Sequence, residues 1–129
     1  MIVKVRTDRQ KALALKKMAE ITLERLEETD TERYPANTLT DYYDVLHKLM
    51  EAVALLHGVK TRGEGAHQEL IDHLAKREKL GEATRLLLRQ MRDYRNRISY
   101  EGFNISKNYI ILNDAKINEV IRRFLGKIS

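Results

Sequence analysis

A chain of 129 residues, 43% hydrophobic and 33% charged, is long enough to bury one domain's core and too apolar to stay disordered. It has no cysteine, which excludes a disulfide framework and thiolate chemistry, and its net charge of +5 suits a polyanionic partner such as RNA, DNA or an acidic protein. The opening "MIVKVRTDRQ" carries no apolar h-region and no apolar run approaches a bilayer span, so a cytoplasmic protein without membrane association is expected.

One proline and six glycines punctuate long segments of 3.6-residue period, the pattern of an all-α protein. A first helix is expected from the N-cap candidates Thr7 or Asp8 to about Glu28. Its stripe is Leu15, Met18, Thr22 and Leu26, widened by Leu13 and Ile21. After a turn through "TDTERYPAN", a second helix opens at Thr38, with Asp41 as a capping-box-like partner, and runs to about His57. Tyr42, Leu46, Leu49, Val53 and Leu56 form its stripe, and Val45, Met50 and Leu55 broaden it to burial on two sides.

"HGVKTRGEG" then breaks the chain, and a shorter helix follows from about Ala66 to Lys79 with Leu70, Ile71 and Leu74 inward. A fourth helix begins after Gly81, extends to about Tyr100 and is stopped by Gly102. The last element, Ser106 to about Leu125, places Ile110, Ile117, Ile121 and Phe124 at helical spacing, although "NYIILND" also suits an extended segment. Such helices with short connections predict an up-and-down antiparallel four-helix bundle with a shorter additional helix, in a single domain over 1–129.

Two apparent sites lack the required spacing. "GVKTRGEG" has Glu64 after Gly63, where a Walker loop needs lysine and then serine or threonine, and no strand is expected before it; it reads as a helix connection. His67 and His73 are six apart, on different sides of a helix, and "HQELI" lacks the second histidine of a zincin motif. No metal and no cofactor are expected.

The fourth helix is more informative. At 100° per residue, Ala83, Leu87, Met91, Tyr94 and Ile98 gather on one side, which predicts the core stripe. Arg85, Arg89, Arg92 and Asn96 stack on the opposite face, flanked by Arg95 and Ser99 on one side and Tyr100 on the other. Leu88 falls on the polar side, where an apolar side chain needs a partner surface. Two readings of this face stay open. Arginines are good helix formers that commonly face water. Guanidinium groups also bind phosphate bidentately, and Asn96, Ser99 and Tyr100 would add directional hydrogen bonds.

The segment "RNRISYEG", on a late helix of an all-α chain, resembles the signature of the HEPN domains. Arg95 and Asn96 match the arginine and polar residue that open that motif, and Tyr100 stands where the family usually has a histidine. The resemblance extends over nearly the whole chain in helix order, including "LLHGVKTRGEGAHQELIDHL". It implies a four- or five-helix bundle that dimerises and brings two copies of the motif to one cleft. It also implies a metal-independent endoribonuclease, toxin-like in some members and then neutralised by a small nucleotidyltransferase antitoxin. Other members are non-catalytic binding modules.

The resemblance therefore assigns Arg95, Asn96 and Tyr100 to catalysis, with Arg85, Arg89, Arg92 and Ser99 as phosphate and RNA contacts. Metal-free cleavage needs a base for the 2′-hydroxyl, an acid for the leaving oxygen and positive charge for the phosphate. Tyrosine, with a free pKa of about 10, is on the order of 0.1% ionised at pH 7 and is a poor base. The tyrosine that the antitoxin modifies in the toxin branch would fall at Gly102, so that target is missing here. Three functions are weighed: a dimeric HEPN ribonuclease, an inactive HEPN module binding nucleotide, RNA or a nucleotidyltransferase partner, and a structural bundle with solvated arginines.

Overall fold

The structure, a computed structural model describing residues 1–129, consists of five helices and two three-residue strands. The chain is all-α apart from that small ladder, and no helix is long and apolar enough to cross a membrane. Helix α1 spans Arg9–Glu27, α2 Pro35–Leu56, α3 Ala66–Arg77, α4 Glu82–Glu101 and α5 Lys107–Leu125. One cluster of 24 buried side chains draws on all five helices.

Local signals explain most helix ends. The Asp8 carboxylate accepts from the Lys11 amide at 2.9 Å and caps α1. Gly102 adopts φ 65° after α4, and the Phe103 amide returns to the Arg97 carbonyl at 3.1 Å, closing the helix in a left-handed turn. Residues 107–113 are helical, which resolves the ambiguity of "NYIILND". The start of α2 differs from expectation. It begins at Pro35, whose fixed φ and missing N–H suit the first helical position. Thr38 is already inside the helix, bonding the Thr31 carbonyl at 3.1 Å, and Asp41 pairs with Arg25 instead of capping.

Helix α2 packs against each of the other four helices. Its buried residues face several directions, from Tyr42 and Leu46 to Met50, Ala52 and Leu55, which bears out the expected breadth. Helix α1 lies antiparallel beside it, with Arg25 bonded to Asp41 at one end and Lys11 beside Leu55 at the other. The face that α1 turns to α2 is not the expected one. Ala12, Ala19 and Leu26 are buried at seven-residue spacing, whereas Met18 and Ile21 are half exposed. Small alanines let the two backbones approach, an advantage that a ranking by side-chain size does not register.

The strands were not anticipated. β1 (Ile2–Lys4) pairs antiparallel with β2 (Val59–Thr61), bringing Val3 opposite Lys60. Three residues are too few to show a period of two, and the partners lie far apart in sequence. β2 follows Gly58, whose φ is 77° and where an added Cβ would lie 3.2 Å from the Val5 carbonyl oxygen. A short strand thus does precede the 62–65 loop, contrary to expectation, although Glu64 still occupies the position that a Walker lysine would need.

Helix α4 is also rotated relative to expectation. Thr84, Leu88 and Met91 are its buried residues, and Ala83 is exposed. Leu88 is 0% exposed inside the core and is not a surface residue seeking a partner. Tyr94 and Ile98 pack sideways into a second, smaller cluster around Leu39, Ile105 and Ile110. Tyr94 stacks with Phe103 at 5.5 Å and meets Tyr109 edge-on at 5.3 Å, which fixes the turn between α4 and α5.

Two stability predictions follow from this packing. Leu88→Ala should lower unfolding free energy by about 2–5 kcal/mol in denaturant titrations, the loss expected for a core leucine. At the far end, Glu78 bonds His57 at 2.9 Å and Lys127 at 2.8 Å. Burial opposes ionisation of Glu78, but Lys127 and His57 outweigh it and hold its pKa below the usual value of 4.5. The pair's stabilisation is therefore present above that value and is lost as pH falls through the depressed pKa. Glu78→Gln should be destabilised by about 1–3 kcal/mol at pH 7, the range for leaving buried partners unmatched, and this difference should shrink in acid.

Candidate active site

The inward stripe of α4 ends in a cation. Thr84, Leu88, Met91 and Arg95 follow one another at spacings of four, three and four, so Arg95 continues the buried row. It points across the helix interface toward α2 and is not on the outer strip. Its Nε lies 3.5 Å from Asp44 Oδ1, in ion-pair range but without a hydrogen bond. Arg92, three residues earlier, turns the same way; its Nη1 lies 3.5 Å from Asp93, and its Nε is likewise buried without a hydrogen bond. Buried donors are almost always paired, so two guanidinium Nε groups without a hydrogen bond, one of them only at ion-pair distance from a carboxylate, are unusual.

The surface these arginines face carries three aromatic rings in near-parallel array. Tyr43 and His47 come from one stripe of α2 and His67 from the first turn of α3. His47 and His67 stack with centroids 4.0 Å apart and planes within 9°. The Tyr43 hydroxyl lies 3.0 Å from His67 Nδ1, and Glu51 Oε1 lies 3.1 Å from His47 Nδ1, one turn along α2. Both histidines open on a cavity of about 140 Å³ whose polar lining includes Lys11, Glu51 and Lys60.

The electrostatics follow from burial and the cations. Burial lowers the His47 pKa to about 4, assisted by Lys48 and Arg95 and opposed by Asp44. Burial lowers His67 to about 4 as well, assisted by His47, Arg92 and Arg95 and opposed by Glu51. Burial raises the Tyr43 pKa well above the ordinary tyrosine value, against the pull of Arg92 and Arg95. At neutral pH the group is therefore two neutral imidazoles and a neutral phenol beside two guanidinium ions. Neutral imidazole is the base form, and the arginines supply the positive charge.

The other expected site residues are dispersed. Arg85 is held by Glu82 and Asp72. Arg89 and Asn96 share a shallow groove on the outer side of α4. Ser99 lines a separate groove against Asn37 and Asp41 of α2. Tyr100 is 82% exposed at the helix end. Five residues of α-helix turn it roughly 140° away from Arg95 and about 7.5 Å along the axis, so the two do not converge within one chain. Of the seven residues, only Arg92 and Arg95 meet in one cluster.

Sequence spacing does not single out Tyr43, His47 and His67, which share no metal-ligand motif and lie on two different helices. No group of three or more His, Cys, Asp or Glu side chains is arranged to hold a metal ion. One signal was present. Leu39, Tyr43 and His47 repeat every four residues on α2, placing an imidazole at an inward position. Nothing in the sequence aims His67 at it.

The depressed histidines give a measurable consequence. In the unfolded chain both would titrate near 6.5 and in the folded one near 4, so the unfolded state binds more protons between those values. Stability from this cluster is complete above pH 6.5 and declines as pH falls toward 4. Imidazole NMR titration should find both rings neutral at pH 6, and Arg95→Ala should move both midpoints upward. No known family model, curated protein or solved structure matches this chain.

Proposed function

We propose that the chain is a HEPN-type RNA-acting protein, a metal-independent endoribonuclease that works as a homodimer. The observation that carries this reading is the pair of buried, unbonded Nε groups of Arg92 and Arg95 beside imidazoles held neutral. Guanidinium ions bind a phosphodiester, and RNA supplies a nucleophile, its own 2′-hydroxyl. The resemblance of "RNRISYEG" to the HEPN signature supports the assignment, with α1, α2, α4 and α5 as the bundle and α3 as the shorter additional helix. A second copy is required for Tyr100 to act, since it points away from Arg95 of its own chain. Exposed Leu86, Ile111 and Leu112 leave apolar area for such a contact.

One observation favours a second reading. Tyr100 has no partner and Gly102 replaces the modifiable tyrosine, which suits a non-catalytic module binding RNA, a nucleotide or a small nucleotidyltransferase. Purified protein incubated with structured RNA separates the two. The ribonuclease reading expects cleavage that survives chelator and falls at least about 100-fold in Arg95→Ala, the scale for losing one charge-stabilising donor. Absence of cleavage at high protein concentration, with salt-dependent RNA binding retained, would leave only the module. A monomer in sedimentation with no salt-dependent binding removes both.

A further inference from the structure

The groups best built to move protons come from α2 and α3, neither of which carries the HEPN-like motif. We propose that His47 and His67 are the proton-transfer pair of this site, acting on an RNA phosphodiester held by Arg92 and Arg95. This rests on the ribonuclease reading above and adds the acid and base that Tyr100 cannot supply.

Each imidazole is braced on one nitrogen and open on the other. The carboxylate of Glu51, 3.1 Å from His47 Nδ1, favours the tautomer with the proton there and leaves a lone pair on Nε2. Tyr43 lies 3.0 Å from His67 Nδ1, and its hydroxyl, kept neutral by burial, can accept from that nitrogen or donate to it. His67 Nε2 is then free to give a proton to a ligand when the ring is protonated. A buried imidazole–imidazole stack held only for packing would be closed over by apolar side chains. This one opens on a cavity rimmed by Lys11 and Lys60, cations that suit a polyanionic strand.

The step balances without a metal. His47 Nε2 takes the proton of the 2′-hydroxyl as that oxygen bonds phosphorus. The bond from phosphorus to the 5′-oxygen breaks, and that oxygen takes the proton of His67 Nε2–H. The products are a 2′,3′-cyclic phosphate and a 5′-hydroxyl, and solvent exchange returns each ring to its starting state. Two rings 4.0 Å apart disfavour double charging, so uptake of a single proton gives the state the step needs, His67 protonated and His47 neutral. The bound phosphodiester anion offsets Arg92 and Arg95 and raises the proportion of protonated His67.

The groups facing the pair set the pH dependence. Burial keeps both rings neutral, helped by Lys48 and Arg95 at His47 and by Arg92 and Arg95 at His67; Asp44 favours protonation of His47 and Glu51 that of His67, Tyr43 is uncharged, and Lys11 and Lys60 line the cavity. Activity should therefore be highest on the acid side of neutrality. Removing the Glu51 charge should move the acidic limb of the rate profile to lower pH.

The test compares the unaltered protein with His47→Gln, His67→Gln, the double variant, and His73→Gln as a control at the other histidine pair. Cleavage rates are measured beside affinity for a 2′-O-methyl RNA of the same sequence, which binds but has no nucleophile. Each single change should lower kcat about 10²–10⁴-fold, the usual span for losing a general acid or base, with little further loss in the double variant. Affinity for the 2′-O-methyl strand should hold, and His73→Gln should cleave normally.

Cleavage within about threefold of normal in both single variants overturns the proposal and leaves the ribonuclease reading standing. Affinity falling in step with rate also overturns it, since the rings would then bind and not transfer protons. No cleavage by the unaltered protein removes reading and proposal together. If a histidine variant does not fold, the half-exposed Glu51→Gln carries the test: an unshifted pH profile overturns the proposal.

Discussion

Burial of α2 is the constraint on which the rest of this molecule depends. Each of the other helices turns part of its apolar surface toward this one, and α2 has little solvent face left. Burying a large apolar side chain stabilises by about 1.5–3 kcal/mol, and α2 does this at many positions around its circumference. A helix so enclosed decides how its neighbours rotate. It draws the alanines of α1 inward in preference to Met18 and Ile21, because backbone approach gains more contact than a larger side chain held at a distance.

The same enclosure explains why the polar cluster is unusual. Where α2 meets α3 and α4, the interface should close with apolar groups, as it does at Leu46, Leu70 and Leu88. Toward one end it presents Tyr43 and His47, and the inward row of α4 ends in Arg95. Polar groups at such positions are destabilising unless their bonds are met, and two guanidinium Nε atoms make no hydrogen bond, Arg95 having only Asp44 at ion-pair distance. A fold that was optimised only for stability would not keep them. Local violation of packing rules inside an otherwise consistent bundle is how binding and catalytic positions commonly appear.

That geometry also alters the meaning of the HEPN-like segment. Its arginine belongs to the interior of one chain, while its tyrosine belongs to the surface. Arg95 therefore meets Asp44 of α2, whereas Tyr100 meets solvent at the helix end.

The sequence by itself determined the helical class and nearly every helix end, because those depend on interactions within one turn. Asp8 meets an amide three residues away, and Gly102 relieves a left-handed turn at its own position. Pro35 was equally local, yet the capping pattern at Thr38 competed with it and the boundary was misplaced. Tertiary structure alone decided which way each helix faces. On a wheel, Ala83 and Leu88 differ only in angle, and the direction of the core is fixed by neighbouring helices. For the same reason Arg95 seemed to belong to an outer strip until α2 and α3 gave it an inward surface. The meeting of His47 with His67, and of β1 with β2, joins segments with no local interaction between them. Only the packing around α2 brings them together.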